Sequence, residues 1–219
     1  MAEKMLVTQA LDERDLLVKK IRDKISKASF TDVKKHNEEK VMEGRISEDD
    51  FRKEAESAYQ QIMDLIQRFQ KIDAAIVASN AATMIHTSFG DYTVAGAISL
   101  RGRIRGTGIY DEKADFEQNL YTKMKVELDG CLMKIENKNK QLETTAESMR
   151  LSILGKDSKI KEDKPLEVVT TYVKENTTEL VDPLGVQKKI DEIQERRAKL
   201  LLELDTQIKV SNATTFIEI

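Results

Sequence analysis

Tryptophan is absent, cysteine occurs once, and proline and histidine occur twice each. A single cysteine, Cys131, excludes an intramolecular disulfide, and so few Cys and His residues leave no cluster spaced for a structural metal. Two prolines in 219 residues leave long helical stretches uninterrupted. Neither sign of charge prevails: 36 Lys and Arg against 39 Asp and Glu give a net charge of −3. That balance supplies no whole-protein attraction to nucleic acid or to an anionic membrane. Long hydrophobic runs are missing too. The longest stretch without formal charge, 74–90, is interrupted by Ser79, Asn80, Thr83 and His86, and it falls short of the ~20 apolar residues a membrane span needs. The first fifteen residues carry scattered charges and no apolar leader core. The chain reads as cytoplasmic.

What is present is helical periodicity. Charged residues make up 34%, suited to long helices with charged outer faces. Phe51, Ala55, Ala58, Ile62, Leu65, Phe69, Ile72 and Ile76 alternate steps of four and three, a heptad seam. Ser47 with Asp50 opens it as a capping box. An earlier helix carries Val7, Leu11, Val18, Ile21 and Ile25, with Arg14 interrupting the stripe; the polar segment 27–46 turns between the two. A third helix is expected over 111–154, with Leu120, Met124, Leu128, Cys131, Ile135, Leu142 and Met149 inward, Cys131 serving as a small buried apolar residue. Residues 155–165 read as a solvated loop. The β-branched alternation that follows predicts a small hairpin turning at Glu175-Asn176. Asp182-Pro183 reads as an N-cap followed by proline at the first helical position. The last helix carries Val186, Ile190, Ile193, Leu200, Leu204 and Ile208, with Arg197 in its apolar stripe.

One phrase is written twice. "DAAIVASNAATMI" over 73–85 and "DTQIKVSNATTFI" over 205–217 share seven of thirteen positions. In each, a helix is expected to stop near Ser-Asn, where Asn80 or Asn212 tolerates a left-handed backbone, and to feed a β-prone run. A second echo places Val7, Ala10, Leu11, Arg14 and Leu17 against Val94, Ala97, Ile98, Arg101 and Ile104, in the same order and spacing. The two marks predict one helical domain over 1–219 built from duplicated halves, 1–88 and 89–219, related by a pseudo-twofold axis. The second half carries an insertion over 109–181. The fold class is mainly α: an antiparallel bundle of long helices with small β strands.

The entry "ALDERD" at 10–15, the seam ending "LDTQI" at 204–208, and the marks Ser79-Asn80 and Ser211-Asn212 resemble the septicolysin-like family of small helical-bundle proteins. The resemblance covers both ends and the centre of the chain. It implies an oligomer and brings no catalytic motif.

No nucleophile–base pair, carboxylate pair or cofactor loop stands at catalytic spacing, so the expectation is a protein that is not an enzyme and needs no cofactor. "GRIRGTG" lacks the strand-to-helix setting of a phosphate loop. His86 is weighed as a satisfied strand histidine ahead of a catalytic one. The chemistry gathers over 91–111, where Arg101, Arg103 and Arg105 alternate with glycines between Tyr92 and Tyr110. As a helix, this stretch puts Arg101 and Arg105 on one face and Arg103 away from it. Guanidinium groups take phosphate or carboxylate through paired hydrogen bonds, and a tyrosine alongside can stack on a base. Arg14, Arg101 and Arg197 each sit where the heptad asks for an apolar residue. Each therefore needs an acid (Glu13, Asp73 and Asp205 are at hand) or an anionic guest. The candidate binding set is Arg14, Arg101, Arg103, Arg105, Arg197, Tyr92, Tyr110, His86, Asn80 and Asn212. The expected function is a homo-oligomeric protein that sequesters an anionic, nucleotide-derived signalling molecule, for example in countering antiviral defence. The alternatives are a structural assembly protein with every arginine in a salt bridge and, more weakly, a membrane-active protein.

Overall fold

The computed structural model describes residues 3–107, 114–154 and 164–219. Six helices and six short strands lie among the described residues. In chain order they are β1 (Lys4–Leu6), α1 (Val7–Lys27), β2 (Lys40–Val41), β3 (Ile46–Ser47), α2 (Glu48–Ala82), β4 (Met84–Thr87) and β5 (Gly90–Thr93). There follow α3 (Val94–Arg105), α4 (Phe116–Leu154), α5 (Lys164–Asn176), α6 (Val186–Thr214) and β6 (Phe216–Glu218). The fold is mainly α. The chain divides into two compact units, residues 1–105 with 200–219, and residues 106–199. The second contains the stretch 109–181 expected as an insertion.

In the first unit the repeat becomes physical. One core cluster holds Val7 and Ala10 of α1, Ile72 and Ile76 of α2, and Ile217 of β6. The other holds Val94 and Ala97 of α3, Leu204 and Ile208 of α6, and Ile85 of β4. The two sets correspond position for position, with Ile72 and Leu204 standing one residue before the repeated phrase. Ile72 and Leu204 are both fully buried, each contributing about 2–3 kcal/mol of transfer free energy. The helices of each core come from one half of the chain, while Ile217 and Ile85 come from the other, so the halves exchange the strands β6 and β4. Thus β6 pairs antiparallel with β1, Ile217 opposite Met5, and β4 pairs with β5, Ile85 opposite Tyr92.

The repeated phrase stops each helix by one hydrogen bond. Thr83 N–H donates to Ser79 O at 2.8 Å, and Thr215 N–H to Ser211 O at 2.9 Å. The same threonines then accept from the first residue of the echoed helix: Val94 N–H to Thr83 O and Val7 N–H to Thr215 O, both 2.9 Å. Both echoes are therefore two ends of one joint. The expected left-handed asparagine is corrected: the helices run on past Asn80 and Asn212, and the stop at Thr83 is extended, φ −77° and ψ 127°. Backbone bonding at threonine does the work assigned to asparagine.

Other seams shift in detail. In α1 the buried residues are Val7, Ala10 and Leu17, while Ile25 is half-exposed. Ser47 caps α2 as expected, its Oγ accepting from Asp50 N–H at 3.2 Å. The polar segment before it contains the β2–β3 hairpin.

In the second unit, Leu128 and Ala146 of α4, Val169 of α5 and Ile190 of α6 are buried. Cys131 is exposed, not buried, as are Leu120 and Met149. Cys131 instead lines an open groove with Leu180 and Val181. The expected hairpin about Glu175-Asn176 is the helix α5. Within α5, Val169, Tyr172 and Val173 are the described residues that are wholly or partly covered, a three-and-four spacing hidden inside the alternation. Its end is closed by side chains, Asn176 Nδ2–H donating to Tyr172 O and Thr177 Oγ1–H to Val173 O. Asp182 does cap α6, accepting from Val186 N–H at 2.7 Å, but the helix starts at Val186 rather than at Pro183. Asp115 caps α4, accepting from Gln118 N–H at 3.1 Å. The expected start of that helix at Asp111 and residues 155–163 of the expected loop lie outside the described residues, while Lys164 and Pro165, expected in that loop, open α5.

Candidate functional site

The arginines of α3 stand at the far end of the helix from its threonine joint. Gly106, at φ +64°, follows Arg105 in the left-handed conformation that ends helices. Arg101 and Arg105 share a face and converge on one carboxylate: Arg101 Nη1–H on Asp205 Oδ1 at 3.4 Å, and Arg105 Nη2–H on Asp205 Oδ2 at 2.5 Å. Arg103 points elsewhere, and its Nε is buried without a hydrogen-bond partner. Two guanidinium groups thus share a single aspartate, and Arg103 forms no ion pair among the described residues.

The other half repeats one of these contacts and not the rest. Arg14 Nη1–H meets Asp73 Oδ1 at 3.4 Å, with Asp15 a further 3.6 Å contact. Arg14 and Asp73 are the counterparts of Arg101 and Asp205. The counterparts of Arg103 and Arg105 are Leu16 and Val18. The scaffold therefore uses the first arginine in both halves and does not require the other two.

Arg197 belongs to the second unit, and its counterpart in the repeat is Leu65, so of the three stripe arginines the repeat relates only Arg14 and Arg101. Its guanidinium forks onto Asp115 through Nη1 and Nη2 at 2.6 and 2.5 Å, with the two side chains only 11% and 10% exposed. Each stripe arginine is thus met by a carboxylate of its own unit. Asp73 and Asp205 were legible in the sequence as partners; Asp115 was not. Glu13 instead holds Arg68, which sequence reasoning missed. Arg68 Nε–H and Nη2–H reach Glu13 at 2.8 and 3.2 Å, and Nη1–H reaches Glu3 at 2.7 Å. These carboxylates push the Arg68 guanidinium further toward its charged form, Glu13 most strongly. In the other half the counterparts of Arg68 and Glu13 are Leu200 and Leu100, both packed on the apolar cluster.

Of the remaining candidates, Tyr92 packs against the core cluster of α3 and α6, which occupies part of its ring surface. His86 is exposed on β4, its Nδ1 2.7 Å from Asp91 Oδ1. Asn80 and Asn212 are half-buried, and the carbonyl of Asn212 accepts from Thr8 Oγ1–H at 2.9 Å. Tyr110 lies outside the described residues. Among the described residues, no group of three or more His, Cys, Asp or Glu gathers as a metal set, and no helix is long and apolar enough to cross a membrane. No family model, curated protein or solved structure matches the chain.

Proposed function

We propose that the protein is a non-enzymatic, self-associating cytoplasmic protein that binds an anionic small molecule, of nucleotide type, at the C-terminal end of α3 and so sequesters it. The observation that carries the reading is the break in the repeat at Arg103 and Arg105. Arg101 and Asp205 form the pair that the scaffold uses twice. The two added guanidiniums leave this helix end with more positive charge than Asp205 neutralises. A phosphate takes such groups through charge-assisted hydrogen bonds. Calorimetry against a panel of mono-, di- and cyclic nucleotides tests it. Wild type is expected to bind one class, and Arg103→Ala to weaken it at least tenfold while the melting temperature stays put. No heat with any nucleotide ends the proposal.

A second reading, assembly without a ligand, is favoured by α4, whose exposed apolar residues Val126, Met133 and Leu151 fall on one helical face. Light scattering of wild type beside Met133→Lys distinguishes it: loss of an oligomer in the variant, with no nucleotide bound by either protein, supports this reading over the first.

A further inference from the structure

α1 and α3 begin alike, but α1 continues for nine residues beyond the position where α3 stops. Those extra residues, 19–27, carry Lys20, Lys24 and Lys27. They line one side of a groove of about 770 Å3 against the N-terminal half of α2. The floor includes Ile62, 6% exposed, with Leu65, Ala58 and Ala28. The small side chains of Ala28, Ser57 and Ala58 leave the space open, and Lys53 completes the rim from α2.

The rim is charged asymmetrically. Four lysines stand against two acids, Asp23 and Glu54. Asp23 is already taken by Lys27 at 2.7 Å, and Lys24 donates to the neutral amide oxygen of Gln61, also at 2.7 Å. Lys20 and Lys53 meet no carboxylate among the described residues. In a chain of net charge −3, this is a local excess of positive charge over an apolar floor.

We infer that the groove binds a single-chain anionic amphiphile, an alkyl chain ending in a carboxylate or phosphate. The volume falls in the range of small-molecule sites, about 300–1,000 Å3, and the lysine excess on the rim selects an anionic head over an apolar floor. Lysine suits the task twice over, because its methylene stem lies along the alkyl chain while its ammonium reaches the anionic head. This inference is independent of the α3 arginines, and either can fail alone.

The test is calorimetry of the full chain with laurate below its micelle concentration. Dodecyltrimethylammonium, of equal chain length and opposite charge, serves as the control. Laurate is expected to bind at one per chain and the cationic amphiphile at least tenfold more weakly. Lys20→Gln with Lys53→Gln is expected to weaken laurate about tenfold, and Ala58→Phe, which fills the floor, to abolish it; thermal melting confirms that both variants fold. Co-sedimentation with phosphatidylserine vesicles separates the sources, free amphiphile being bound with or without membrane attachment. Equal affinity for both amphiphiles, laurate binding indifferent to the lysine changes, or sedimentation with vesicles without laurate binding overturns the inference.

Discussion

Arg101 Nη1 stands 3.4 Å from Asp205 Oδ1, and Arg14 Nη1 keeps the same 3.4 Å from Asp73 Oδ1 in the other half. The same pair is thus used twice, but the carboxylates are loaded differently. Asp205 is 24% exposed and holds two arginines; Asp73 is 44% exposed, and Arg14 retains Asp15 if it is lost. Removing charge at Asp205 therefore strands more. Asp205→Asn is expected to lower unfolding free energy by about 1–2 kcal/mol, and Asp73→Asn by less than about 1 kcal/mol. Urea denaturation of the two variants checks the order; equal losses refute it.

Arg68, Glu13 and Glu3 form a charged network where the other half places Leu200 and Leu100. The chain holds two solutions to one packing problem. Replacing a whole partly buried ion pair by apolar residues of similar size is often neutral or stabilising, whereas breaking it leaves a charge unpaired. Arg68→Leu alone is expected to destabilise by about 1–3 kcal/mol, and Arg68→Leu with Glu13→Leu to recover most of that loss. Thermal melts of the single and double variants, completed by Glu13→Leu into a cycle, measure the coupling. Additive losses contradict the reading.

The repeat made much of this fold legible. Val7, Ala10, Ile72 and Ile76 announce one core by spacing, and Val94, Ala97, Leu204 and Ile208 announce its copy. The exchange of β4 and β6 between halves was not legible, because periodicity places residues on a face and says nothing about which neighbour supplies the strand. The run at 167–178 misled because Val and Thr favour strands locally, while its contact with α4 selects a helix; tertiary context overrode propensity. Arg14 and Arg101 betrayed themselves as charges in an apolar stripe. Arg68 did not, since it lies beside the stripe, and the lysine groove depends on where α1 ends.

Asp115 has two roles. It caps α4 through Gln118 N–H and forks onto the nearly buried Arg197. Asp115→Ala removes a cap worth about 1 kcal/mol and leaves the nearly buried guanidinium only its 3.7 Å contact with Glu117, at a further cost of about 1–3 kcal/mol. Arg197→Leu, which restores an apolar residue to the α6 stripe, is expected to relieve most of the second penalty when combined with it. Hydrogen exchange over 116–124 and 186–199 reports on the loss. Full protection in Asp115→Ala disproves the dual role.

The loop 28–47 is fastened by two carboxylates, which makes it an acid-sensitive part of the first unit. Asp32 accepts from Met42 N–H at 2.5 Å. That bond, then the one from Val33 N–H, holds its carboxyl below the ordinary 3.8. Glu48 pairs with Lys34, whose hydrogen bond holds it below 4.5. A folded value below the unfolded one means the stabilisation is complete above the unfolded value and lost as pH falls through the folded one. Amide exchange over 28–47 is therefore expected to be constant from pH 7 to 5, after correction for the intrinsic rate. It should accelerate below about pH 4, while the helical amides near Ile72 stay protected. Asp32→Asn keeps the acceptor oxygen but no longer titrates, so part of this acid response should disappear with it. An acid response identical in wild type and Asp32→Asn assigns the fastening to other groups.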